Sequence, residues 1–257
     1  MCILIISNYY GRSGNNLLQL INNTYNCILN NYKDLLCPKH KLFTKINKID
    51  NNNSCKCNNI INNNSELLFK TPLSITTIKK IFHNYYVYNL NNVDNNDNIY
   101  DIAIHIRSGD IFDNIGRSHR LYLQPPYYFY KKIIDENKKS KIIIVYENKK
   151  NPIINKLIQY CKYNTNIFFQ STNIKDDINT LSKCKTLVFS NGTFCLIPYV
   201  ISKTIKEVII SDYMENNIWF IFDKDITKII NLPNYIKQNQ WSNTIQQQKY
   251  MLNYENK

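Results

Sequence analysis

Two segments bring together residue types suited to holding an anion. The first is His105-Ile-Arg107-Ser-Gly109-Asp110. In an extended strand His105 and Arg107 point to one face, so two side chains able to carry positive charge emerge together ahead of a glycine turn. The Arg107 guanidinium is a planar fork that matches phosphate oxygens, and Asp110 is placed to hold that fork. The second segment is Ser190-Asn191-Gly192-Thr193-Phe194. Hydroxyls and backbone amides gather there as a strand gives way to a helix, an arrangement that favours anions. The plain structural alternatives are a surface ion pair between Arg107 and Asp110 and an ordinary helix cap. Taken together, the two segments make a clamp for a diphosphate. A diphosphate leaving group gains charge as its glycosidic bond breaks, so fixed cations and amides stabilise the transition state more than the ground state. A third turn, Gly11-Arg-Ser-Gly14-Asn15, lets backbone approach a ligand ahead of a helix. It lacks the GxGxxG spacing and the Lys of a phosphate-cradling loop, which argues against a nucleoside triphosphatase.

These turns need a scaffold that ends its strands side by side. Residues 2–7 form an apolar run that reads as a first strand, not as a signal peptide. After the Gly11–Asn16 turn, Leu17, Leu18, Ile21, Tyr25, Ile28, Leu29 and Tyr32 recur at helical spacing. The second half predicts strands at Tyr100–Ile106, Lys141–Tyr146, Ile167–Gln170, Thr186–Ser190 and Glu207–Ser211. Helices are predicted from Pro126 to Ile134, Pro152 to Cys161, Asp177 to Cys184 and Phe194 to Ser202, the last bent or shortened by Pro198. Strands alternating with helices at this pitch indicate a parallel sheet covered on both faces, which takes its ligands at the carboxyl ends of the strands. The loops to inspect are therefore 11–16, 107–120, 147–151 and 190–194. Residues 46–64 are Asn-rich and aperiodic and read as a mobile surface insertion, and Asn89–Asn98 reads as an interdomain linker. The division is then an α/β domain over 1–97 and a Rossmann-like domain over 98–257.

A transfer to a hydroxyl calls for a general base, for which Asp110, Asp113, His119 and Glu147 are candidates and Asp110 is the nominee. Arg117-Ser-His-Arg120, with Tyr122 and Pro125-Pro126, combines basic and aromatic groups suited to an acceptor lip. The eight cysteines fall mostly in apolar segments and suit a reducing compartment. Cys37, His40, Cys55 and Cys57 are four soft ligands, but Cys-x-Cys is cramped for zinc, and loop thiols are the default reading. The chain has 257 residues and a net charge of +13, yet no five-residue basic run. About one residue in six is Asn, and Lys, Ile and Tyr are also heavy, which points to AT-rich codon usage as the source of much of the Lys excess. That argues against nucleic acid as the partner. No stretch approaches the ~18 apolar residues of a membrane span, and the expected location is cytoplasmic.

The same residues carry a resemblance. Gly11-Arg-Ser-Gly-Asn-Asn16 resembles the N-terminal GxxGNQ-type turn of GDP-fucose-dependent fucosyltransferases, the superfamily of α1,2-, α1,6- and protein O-fucosyltransferases. His105–Asp110 is similar to their His-x-Arg-Arg-x-Asp motif, Tyr127–Ile134 to the helix that follows it in the α1,2 branch, and Asp176–Phe194 to the third motif. Order and spacing run together over residues 3–211. The resemblance implies a GT-B-like α/β fold, two Rossmann-like domains facing across a cleft. It implies inverting, metal-independent transfer of a deoxyhexose, fucose above all, from a GDP-sugar to a glycan hydroxyl, with no resident cofactor. By carry-over Arg107 binds the β-phosphate, His105 lines that pocket and Asp177 accepts hydrogen bonds from guanine. Ser190, Asn191, Gly192 and Thr193 hold the pyrophosphate, and Gly14 and Asn15 face the donor from the other domain. The chain departs from the pattern at Ser108 (a second Arg), at Cys195-Leu-Ile197 (Ser-Trp-Trp) and at Glu147-Asn148 (an acidic pair), which leaves sugar and acceptor open. The competing readings are a basic nucleic-acid-binding protein and an inactive glycan-binding relative. With this composition, a large DNA virus or a protist is the expected source.

Overall fold

A computed structural model describes residues 3–32, 34–49, 60–62, 72–89, 100–215 and 218–255. The chain divides into two units. One comprises Met1–Val93, Leu196–Ile201 and Asn217–Asp223, and the other Asp94–Cys195, Ser202–Asn216 and Lys224–Lys257.

The first unit runs β1 (Ile3–Ile5), α1 (Ser13–Leu29), β2 (Asp34–Leu36), β3 (Phe43–Lys45), β4 (Ile60–Asn62), α2 (Ile75–Tyr85) and β5 (Tyr86–Tyr88). β1 lies between β2 and β4, parallel to both, and β3 and β5 form a separate antiparallel pair. The helix α1 buries Leu17, Leu18, Leu20 and Ile21, and its buried Asn16 and Gln19 donate side-chain amides to the carbonyls of Tyr10 and Asn8. Those two bonds hold the loop that leaves β1 against the helix. α2 starts at Ser74, whose hydroxyl accepts from Thr77 N. Residues 46–64, expected as a surface insertion, contain β4, whose Ile61 pairs with Leu4, and the preceding Ile49 is only 1% exposed. Main-chain pairing supplies an order that side-chain periodicity does not signal. Cys55, Cys57 and residues 90–98 of the expected linker lie outside the described residues.

The second unit runs β6 (Tyr100–Ile106), α3 (Tyr127–Glu136), β7 (Ile142–Tyr146), α4 (Pro152–Tyr160), β8 (Ile167–Gln170), α5 (Ile174–Ser182) and β9 (Cys184–Val188). The chain continues through α6 (Leu196–Ile201), which groups with the first unit, to β10 (Glu207–Ser211), β11 (Thr227–Ile230) and α7 (Ile245–Asn253). Residues 196–201 and 217–223 thus depart from a division that keeps 98–257 whole. Ile221 bonds into the first unit through its amide to Leu73 O and its carbonyl to Ile75 N, each at 2.9 Å.

The six strands β6–β11 form one wholly parallel sheet in the order β11-β10-β9-β6-β7-β8. Counted from β6, this is the 3-2-1-4-5-6 order of dinucleotide-binding folds, and the direction of winding reverses between β6 and β9. β7 is buried at every position and β6 from Ile102 onward, as parallel interior strands covered on both faces must be. α3 packs Phe129, Tyr130, Ile133 and Ile134 into the same core as Ile104, Ile106, Ile144 and Leu157. No helix among the described residues is long and apolar enough to cross a membrane.

Candidate functional site

β6 and β9 end side by side at the reversal, and a hydroxyl ties the two ends together. Ser190 Oγ lies 2.8 Å from His105 Nδ1 and accepts from the Arg107 amide at 3.2 Å. His105 and Arg107 leave β6 on one face, as the alternation requires, but with different fates. His105 is 7% exposed and packs its ring on Phe194, with centroids 4.8 Å apart. Burial first, and the neighbouring Arg107 second, push its pKa down to about 3. Of the two side chains able to carry positive charge, Arg107 is therefore a cation and His105 a neutral imidazole. The Arg107 side chain is 16% exposed, and its Nη2 donates to Asp110 Oδ1 at 2.9 Å. Asp110 thus orients the guanidinium.

The backbone that presents Arg107 is fixed from the end of β7. Asn151 Nδ2 donates to Arg107 O at 2.9 Å while Asn151 Oδ1 caps α4 by accepting from Ile153 N. Ser108, fully buried, donates to Asn148 Oδ1 at 2.8 Å and accepts from Asn151 N at 2.9 Å. A buried internal hydroxyl therefore stands where the resembled motif carries a second Arg. Asn148 Oδ1 also accepts from the amides of Gly109 and Lys150. Gly109 has φ +72°, and a Cβ there would come within 2.3 Å of Glu147 Oε2. The positive φ favours glycine, whereas the exposed end of the Glu147 side chain can swing clear of a Cβ. The sequence shows Asn148 only as a departure from the resembled acidic pair and Asn151 only as part of loop 147–151. Asn151-Pro152 is a legible helix start, but the tertiary bonds of both side chains are not.

Of the other base candidates, Asp113 pairs with Lys150, and His119 is exposed with Nδ1 accepting from Leu121 N at 3.3 Å. In the 190–193 turn, Asn191 Nδ2 donates to Leu121 O and Leu123 O, fastening the 120–124 strap. Ser190 and Asn191 therefore shape the turn from within. At Gly192, φ is +119°, and a Cβ would meet no atom within 4 Å, so the turn presents open backbone there, followed by part-buried Thr193. The helix expected from Phe194 begins at Leu196 and is six residues long, with Pro198 inside it, so the segment offers the groups of a turn and not a long helix dipole.

Asp177 lies in the first turn of α5, which starts three residues earlier than the sequence predicts because Asn173 caps it. Its Oδ1 accepts from Gln170 Nε2 at 2.9 Å and Thr172 Oγ1 at 2.8 Å. Gly14 and Asn15 belong to the first unit, in the first turn of α1. Gly11 takes φ +73°, with Asn15 Nδ2 2.4 Å from where a Cβ would be. No group of three His, Cys, Asp or Glu among the described residues is arranged to hold a metal. His40 in particular is spoken for: Nδ1 accepts from Leu42 N, leaving Nε2–H to donate to Asn16 Oδ1.

No protein-family model matches the chain, and no curated protein matches it. Among solved structures it is similar to the E. coli heptosyltransferase WaaC with ADP, at 9% identity and TM-score 0.39, over 70% of this chain and 49% of that one. It is also similar to WaaC with ADP-2-deoxy-2-fluoro heptose, at 11% identity and TM-score 0.37, over 67% and 46%. The chain spans about half the length of these structures.

Proposed function

We propose that the chain is a GT-B-like glycosyltransferase that takes its sugar from a nucleoside diphosphate bound at the carboxyl ends of β6 and β9. One observation carries the reading. Ser190 locks Arg107 and the 190–193 turn together at the winding reversal of a 3-2-1-4-5-6 sheet, the place where such sheets take ligands. Arg107 holds the charge that accumulates on the β-phosphate as the acceptor hydroxyl displaces it, and the Gly192-Thr193 backbone donates to the same diphosphate. Asp110 orients the guanidinium and is the nominee to take the acceptor hydroxyl's proton, and neutral His105 sets the turn. Ser190 and Asn191 act through the shape of the turn.

The motif resemblance narrows the donor to a GDP-deoxyhexose, GDP-fucose first, transferred to a glycan hydroxyl with inversion. Asp177 supports guanine over uracil through Oδ2, because Oδ1 is taken up by Gln170 and Thr172: guanine offers N1–H and N2–H side by side, and uracil offers no such pair of donors. The diphosphate is held by a guanidinium and amides, so no divalent metal is required. The test is GDP release from GDP-fucose in EDTA with wild type and Arg107→Ala. The expected result is turnover without metal that falls at least ~100-fold in the variant, with the thermal unfolding midpoint kept. Near-normal turnover by Arg107→Ala, or turnover only with added metal, overturns the reading.

A further inference from the structure

Glu147 has no part in the mechanism above, yet its place in the sheet is specific. β6 and β7 are the first and second strands of the 3-2-1-4-5-6 order, and Glu147 is the first residue beyond the second strand. The register pairs Ile106 with Tyr146, so Glu147 stands next to Arg107 at the same edge. Its side chain is exposed but placed. The carboxylate lies over Gly109, where a Cβ would fall 2.3 and 2.8 Å from its two oxygens, and Gly109 leaves it that room. Its carbonyl accepts from Ser171 Oγ at 3.0 Å, and the next residue, Asn148, accepts three hydrogen bonds, so the backbone is pinned on both sides.

The edge can be read strand by strand. The 190–193 turn follows β9, Arg107 follows β6, Glu147 follows β7, and Asp177 lies beyond β8. These strands are neighbours in that order, each about 4.8 Å from the next. Above, the diphosphate is assigned to the first two positions and the base to the last. The group that joins a diphosphate to its base is the ribose, which falls over β7. In sheets of this order an acidic residue near that position accepts from ribose hydroxyls.

We propose that Glu147 binds the ribose cis-diol of the nucleoside diphosphate, its carboxylate oxygens accepting from the 2′ and 3′ hydroxyls. The site is then selective for ribonucleotides. This rests on the nucleotide reading above. Whichever of GDP, ADP and UDP binds best is titrated calorimetrically beside its 2′,3′-dideoxy form, on wild type and on Glu147→Gln. Wild type should bind the dideoxy form about tenfold more weakly or worse. Glu147→Gln should bind the parent nucleotide about tenfold more weakly and the dideoxy form as wild type does. If the parent nucleotide binds wild type and the dideoxy form binds equally well, or the variant keeps the full preference, the ribose assignment falls and the nucleotide reading stands. If no nucleotide binds wild type, both fall.

Discussion

His105 is kept neutral by the fold, and this has a measurable consequence. Its folded pKa, about 3, lies below the ordinary histidine value near 6.5, so the unfolded chain binds a proton that the folded chain does not. Its contribution to stability is complete above pH 6.5 and is lost as pH falls from there toward 3. The slope is about 1.4 kcal/mol per pH unit while only the unfolded state is protonated. Burial also lowers the pKa of His40, adding in the same direction. The His105 imidazole resonances should stay flat from pH 7.5 to 4.5, and His105→Asn should flatten the acid limb of unfolding by about one proton. A resonance titrating near 6.5 contradicts the buried placement. At this scale the sequence shows which side chains share a face but not how deep each sits. Alternation puts His105 and Arg107 together, whereas only packing by Phe194 and Ser190 separates a neutral wall from a charged fork.

The loops between elements hold the site, and the end of β7 is the support for the end of β6. Asn151→Ala removes both a helix cap and the partner of the Arg107 carbonyl, and should cost about 2–3 kcal/mol of stability. It should also weaken nucleotide binding by releasing the Arg107 backbone. Thr244→Ala breaks the capping box of α7 and should cost about 1 kcal/mol with no change in binding. Equal effects of the two substitutions on nucleotide affinity would detach Asn151 from the site. The long elements of the second unit are legible as apolar runs and helical periods because their strands are buried on both faces. The capping box Thr244-x-x-Gln247 and the Ile75, Ile78, Phe82 spacing of α2 are equally legible signals, though α2 and α7 were not among the predicted helices. The three-residue strands β2 to β5 are not legible, because pairing and not pattern defines them.

Across the whole molecule, β4 changes what the Asn-rich segment means. Deleting residues 51–64 removes one of the two parallel neighbours of β1, and each lost hydrogen bond is worth about 1 kcal/mol net. The deletion should lower the unfolding midpoint by several degrees, and an unchanged midpoint would return the segment to a dispensable loop. Turn chemistry and strand order converge on one edge of the second unit, so the central claim is that a nucleoside diphosphate binds there without metal. Calorimetric titration of GDP and UDP in EDTA, on wild type, Arg107→Ala and Asp177→Ala, tests it most directly. GDP should bind wild type at least tenfold more tightly than UDP, lose most of its affinity in Arg107→Ala, and lose its advantage over UDP in Asp177→Ala. Absence of GDP binding to wild type in EDTA, or undiminished binding to Arg107→Ala, would contradict the account.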